Sequence, residues 1–169
     1  MAAEPGRPRQ RVRHRVARRA GPRGVVGSGF PLPPPPVPTA QYVPAVAAGG
    51  LLFVSGQDPE RGGRLAYRGR VGRELGRTQA RAALRLAALN ALAAARAALG
   101  SLARARRCVV LACFVDAAPG ALDPRIATGA LALLRRAFGT AGDPVVWLRP
   151  ARGLAGGMPV EVELVLELA

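Results

Sequence analysis

The chain contains no lysine and only one histidine, His14, which sits in an Arg-rich leader. Its place in that leader, away from the expected domain, argues against a His-based catalytic triad, and its being alone excludes a metal centre built on several histidines. Cysteine is almost as scarce. Cys108 and Cys113 fall five apart on one expected strand, where alternation sends them to opposite faces, so no disulfide between them is expected. Both read as buried thiols of a reducing compartment, which points to the cytoplasm. Aromatics make up 4% of the 169 residues, so Leu, Val and Ala must fill the core. That poverty also leaves no platform for stacking bases. No apolar run approaches the roughly 20 residues of a bilayer span, and no apolar segment of signal-peptide type follows the basic N-terminus. Membrane insertion is therefore not expected. No glycine-rich phosphate loop is present either. Gly62-Gly63 reads as a turn, and Gly69 and Gly72 fit no nucleotide motif.

What is abundant is arginine, which alone gives the chain a formal charge of +15 against 10 acidic residues. Eight arginines lie in residues 1–38 against Glu4, and 17 lie beyond against nine acids. Guanidinium groups suit phosphate, so the arm could engage nucleic acid. A GC-rich coding sequence explains the same bias more simply, because Arg, Ala, Gly and Pro have GC-rich codons. The leader runs into Pro31-Leu-Pro-Pro-Pro-Pro-Val-Pro38, which favours polyproline II and offers little apolar surface to bury. Residues 1–38 are expected to be a disordered arm with a stiff spacer, and 39–169 a single folded domain. The proline content argues against an amphipathic transit helix in the leader.

Within the domain, Tyr42–Val46 and Leu51–Ser55 flank Ala-Ala-Gly-Gly and predict a hairpin. Leu65–Tyr67 suggests a short strand. A long helix is expected from about Glu74 to Leu99, stopped by Gly100, with Leu75, Ala82, Leu86, Leu89 and Ala93 as its buried stripe. Arg77, Arg81 and Arg85 fall on a solvated face. Arg107–Val115 is a continuous apolar run, as expected of a central strand. A second helix is expected over about Arg125–Phe138, and Pro159–Leu168 alternates as a strand with one face polar. The order predicts an α+β sandwich, helices on one face of a mixed sheet.

Several of these pieces carry a resemblance. Tyr42-Val-Pro-Ala-Val, Leu52-Phe-Val-Ser-Gly-Gln57, Ala87-Ala-Leu-Asn-Ala-Leu92, Gly100-Ser-Leu102, Phe114-Val115 and Pro159-Val-Glu-Val-Glu163 stand in this order. Together they make residues 40–169 similar to the RidA/YjgF family of enamine/imine deaminases. The resemblance implies a chorismate-mutase-like α+β subunit with two helices on one face of a mixed sheet. It also implies a homotrimer whose sheets form a central barrel, with ligand clefts between subunits. The chemistry implied is hydrolysis of 2-iminobutanoate or 2-iminopropanoate to a 2-oxo acid and ammonia, with no metal or organic cofactor.

By the same resemblance, Glu161 would position the attacking water, and Tyr42 and Ser55 would line the cleft. Thr128 stands where the family usually has Asn, keeping a hydroxyl and losing the amide. The family's carboxylate-binding Arg is replaced by Val146, so imino acids lose their main anchor and hydrolysis barely above background is expected. Arg149 is the candidate substitute, with Arg152 farther along. The block Asp143–Ala155 departs from the family pattern, which resumes at Gly156 with no change of length. Two other readings stay open. One is a non-enzymatic trimer holding a small ligand in the same cleft. The other is RNA binding or cleavage, favoured by the basic arm and opposed by the missing stacking platform and histidine base. More plainly, Glu161 could be one polar residue of an exposed strand face shared with Glu163 and Glu167, and Trp147 could pack between subunits.

Overall fold

The computed structural model describes residues 31–37, 41–139 and 143–169; the leader, His14 included, lies outside them. Strands β1 (Ala45–Ala48) and β2 (Leu51–Gln57) form the first hairpin. Their turn uses Gly49 and Gly50, both at positive φ, which a side chain would disfavour. β3 (Glu60–Arg61) and β4 (Arg64–Leu65) make a small separate ribbon around Gly62-Gly63, in place of the strand expected at Leu65–Tyr67. Helix α1 (Arg77–Leu99), β5 (Ala105–Asp116), α2 (Thr128–Phe138), β6 (Val145–Ala151) and β7 (Val160–Leu168) follow. The sheet order is β1-β2-β7-β5-β6, with only the β5–β6 pair parallel. This is the mixed α+β architecture the sequence predicts.

α1 begins three residues later than expected. Glu74 is used in the preceding turn, where its Oε2 accepts the Arg70 N–H at 2.8 Å. Gly76 then caps the helix, and Gln79 Oε1 accepts the Gly76 N–H at 2.9 Å. The buried stripe is also wider than expected. Ala80, Ala83, Leu84, Ala87, Ala88, Ala91, Leu92 and Ala95 are all buried, whereas Ala82 and Leu89 are only partly covered. By length and composition α1 could cross a membrane, with a mean hydropathy of 1.4 in its most apolar window. Two-thirds of that window is nevertheless buried inside the fold, as befits a core helix. Run length alone missed it because Arg81 and Arg85 interrupt the apolar stretch.

The cysteines correct another expectation. A register shift between Cys108 and Val110 inserts an extra residue into β5 and reverses the alternation there. Cys108 therefore pairs with Leu166 and Cys113 with Val162, and both thiols face the core. Both are free, and burial pushes each thiol up to about 12. The second helical region opens with a 3-10 turn, Pro124–Ala127, capped by Asp123, so α2 itself starts at Thr128.

Residues 31–37 run against the domain. Leu32 packs on the core, and Arg96 near the end of α1 donates from Nη2 to the Pro33 carbonyl at 3.3 Å. A proline run loses little entropy on docking, so two contacts are enough to seat it.

Candidate functional site

Both helices pack on one face of the sheet, leaving the other face open. Val160, Val162, Leu164 and Leu166 of β7 are buried, while Glu161, Glu163, Val165 and Glu167 alternate onto the open face.

The Ser-Gly-Gln element shapes the site through an irregularity. Val54 pairs with Leu164 but Gln57 with Val162, so Ser55 and Gly56 form a bulge against β7. Gln57 is turned inward and buried, and its Nε2 donates to the Gly56 carbonyl at 3.0 Å and the Ser55 carbonyl at 3.2 Å. The Ser55 N–H and Oγ both donate to the Pro44 carbonyl, at 2.9 and 3.1 Å. Ser55 thus staples the entry segment carrying Tyr42 to β2. Gly56 lies against the Glu161 carboxylate, and a Cβ there would overlap Oε1. Only glycine leaves that space.

Behind the bulge, Asn90 of α1 is buried. Its Nδ2 donates to the carbonyls of Asp58 at 2.8 Å and Glu60 at 3.0 Å. These bonds hold the turn after β2 in place and bring Asp58 near Glu161. The outcome is a concentration of carboxylates in a strongly cationic chain. Burial, followed by the charges of Asp58 and Glu163, holds the Glu161 carboxyl above its ordinary range. Burial and then Glu60 do the same for Asp58. Raised carboxyls of this kind suit proton transfer nearer neutral pH. A pocket beside them is lined by Pro36, Val37, Tyr42, Pro44, Gly56, Gln57, Asp58 and Glu60.

Strand pairing places the remaining candidates. Glu161 lies opposite Phe114 of β5, and Phe114 opposite Arg149 of β6. Glu161 and Arg149 therefore share one row and one face, two strand spacings or about 10 Å apart at Cα. The Arg149 guanidinium sits 5.5 Å from the centre of the Trp147 ring, a cation–π distance. Val146 pairs with Leu111, on the helix-facing side at the sheet's outer edge. Tyr42, about half exposed, joins the pocket wall. Thr128 is not brought to Glu161 within one chain. It is exposed at the start of α2, donating from Oγ1 to the Arg125 carbonyl at 2.7 Å.

Comparison with known proteins bears on the family and the fold. A family model for YjgF/chorismate-mutase-like proteins, whose description adds endoribonuclease as a provisional activity, matches residues 23–163. The chain belongs to this family.

Protein TCP17 of Trypanosoma cruzi is 35% identical over 144 residues, covering 83% of this chain and 89% of that protein. The Agrobacterium tumefaciens protein Atu1372 shares the fold with a TM-score of 0.76 and 34% identity, over 83% of this chain and 87% of its own. Escherichia coli TdcF, solved with bound serine, has a TM-score of 0.56 at 18% identity, covering 80% and 93% of the two chains. The family match starts ahead of Pro31–Val37, so it takes in the proline segment docked on the domain.

Sequence reading named Tyr42, Ser55, Thr128, Arg149 and Glu161. It missed Gly56 as the seat of the Glu161 carboxylate, Asn90 as the brace behind Asp58, and Pro36 and Val37 as pocket wall. Gly56 was signalled by its place directly after a strand, where glycine often marks a bulge. Asn90, a lone amide in a helix of Ala and Leu, could have been found by asking what satisfies it.

Proposed function

We propose that the protein is a cofactor-independent hydrolase of small 2-imino acids, working slowly, as a homotrimer in the cytoplasm. One observation carries this reading. Glu161 is held against Gly56 with a raised carboxyl, in the same sheet row as Arg149. The gap between them suits a molecule with a carboxylate at one end and an electrophilic C=N carbon at the other. Arg149 would take the carboxylate in a charge-assisted pair.

Glu161 would accept a proton from water as the oxygen attacks C2. The adduct takes that proton on its nitrogen to give a 2-amino-2-hydroxy acid. Glu161 then removes the hydroxyl proton and passes it to the departing nitrogen as the C–N bond breaks, so that ammonia leaves and a 2-oxo acid remains. Atoms and charge balance without an external oxidant or reductant. That the similarly folded TdcF holds serine agrees with an amino-acid-sized ligand. Exposed Val46, Phe53, Val145 and Trp147 leave apolar surface for neighbouring subunits to cover.

The test generates 2-iminopropanoate in situ from alanine with an amino-acid oxidase and measures how far the protein outcompetes semicarbazide for the imine. Weak hydrolysis by the unaltered chain is expected, with Glu161→Gln at background and Arg149→Ala reduced about tenfold or more. If Arg149→Ala changes nothing while Val146→Arg raises the rate sharply, the clamp belongs on the other side of β6. If a well-folded trimer shows no hydrolysis but binds 2-oxo acids, the non-enzymatic ligand-binding reading replaces this one. Sedimentation giving a stable monomer at micromolar concentration would remove the trimer.

A further inference from the structure

Proline-rich segments ahead of a domain are normally spacers, yet Pro31–Val37 is fastened at one end and reaches the pocket at the other. The anchored end is Leu32 on the core and the Pro33 carbonyl on Arg96 Nη2 at 3.3 Å. The far end is Pro36 and Val37, which line the pocket with Tyr42, Pro44 and Asp58. Proline geometry explains the reach. Four or five residues in an extended proline conformation cover about 15 Å at roughly 3.1 Å each. The five prolines also lack N–H donors, so this stretch cannot extend the β1 edge as another strand.

We infer that Pro31–Val37 is a docked strap whose Pro36 and Val37 form one wall of the ligand pocket and set the size of side chain it admits. This rests on the reading of the Glu161 face as a 2-imino acid site, which the pocket adjoins through Gly56, the residue lying against the Glu161 carboxylate. The rest of the lining is Tyr42, Pro44, Gly56, Gln57, Asp58 and Glu60. Such a box accepts a short uncharged side chain. The strap crowds out a branched or aromatic one, and the carboxylates repel an acidic one. Arg96 and Leu32 act through the strap and are positioning residues, remote from the reacting atoms.

The experiment uses the full chain and graded 2-oxo acids: pyruvate, 2-oxobutanoate, 4-methyl-2-oxopentanoate and phenylpyruvate. Binding is followed by the fluorescence of Trp147, the sole tryptophan. Three proteins are compared: the unaltered chain, the double variant Leu32→Ser/Arg96→Ala that releases the anchor, and Pro36→Gly that thins the wall. The anchor variant should leave pyruvate affinity nearly unchanged, and both variants should tighten phenylpyruvate relative to pyruvate by about tenfold. Circular dichroism and melting identify a variant that has lost its fold, and Pro36→Gly, lying at the surface end, then carries the test alone. Unchanged size selectivity in folded variants that still bind pyruvate would overturn the strap while leaving the site reading intact. Failure of every 2-oxo acid to bind the unaltered chain would overturn the site reading, and the strap's role with it.

Discussion

Along β7, Val162 and Leu164 are completely covered by the helical layer, while Glu161 and Glu163, one residue away on either side of Val162, remain only partly covered on the opposite face. The two faces are made from one strand under opposite rules. The covered face is dry, and its stability scales with apolar area and tight packing. The open face keeps charge in a half-covered setting, where burial costs the carboxylates something and makes their protonation responsive. Strand parity thus separates the packed face of this fold from its charged face, and parity is reset at the register shifts between Val54 and Gln57, Ala105 and Arg107, and Cys108 and Val110.

The sharpest way to break that comparison is to truncate each face in turn. Leu164→Ala should cost about 3 kcal/mol, lowering Tm by roughly 10 °C, because it opens a cavity in a closed core. Val165→Thr, one residue along on the open face, should cost less than about 1 kcal/mol. Equal losses in urea melts would show that both faces carry the packing. Asn90→Ala comes next. It leaves the Asp58 and Glu60 carbonyls without their buried donor and should cost about 1–3 kcal/mol. It should also weaken imine hydrolysis by loosening the turn beside Glu161, an effect that a purely local loss of packing elsewhere in α1 would not produce.

Glu161→Gln is smaller and opposite in sign. A carboxyl whose folded pKa lies above its unfolded value binds its proton more tightly in the folded state. Its favourable contribution is therefore present below the unfolded pKa and lost as pH rises through the folded one. At neutral pH the ionised Glu161 opposes folding, so Glu161→Gln should raise Tm there while abolishing activity. The gain should fade as pH drops below the ordinary carboxylate range. A variant less stable than the parent at pH 7 would mean the carboxylate is held by attractive contacts, contrary to its placement. The smallest signal belongs to the covered face. With both thiols pushed up to about 12, Cys108 and Cys113 should resist an aromatic disulfide reagent at pH 8 until denaturant is added. Rapid labelling of the native protein would show that the core opens locally.

Much of this was legible in the residues. The alternation of Val160 to Leu168, the apolar run around Leu111 and the long Ala/Leu helix each reflect a period imposed by local geometry, so they survive reading one stretch at a time. The motif order around Tyr42, Ser55 and Glu161 likewise pointed to the family. Boundaries were less legible. α1 starts at Arg77 because Glu74 was drawn into a turn by the Arg70 N–H, a competition no propensity reveals.

By itself, then, the sequence determined the two helices, the strands β1, β2, β5 and β7 in outline, the polar and apolar faces of β7, and with them the place of the Glu161 carboxylate on the open face. Tertiary structure decided which faces coincide. Pairing of β7 between β2 and β5 put Gly56 under Glu161 and set Arg149 in the same row, and an inserted residue in β5 turned both cysteines inward. It also laid Pro36 and Val37 beside Tyr42. The physical reason is that parity is local to a strand, whereas register, bulges and docking are fixed by partners tens of residues away. Those partners are chosen by the packing of the whole chain.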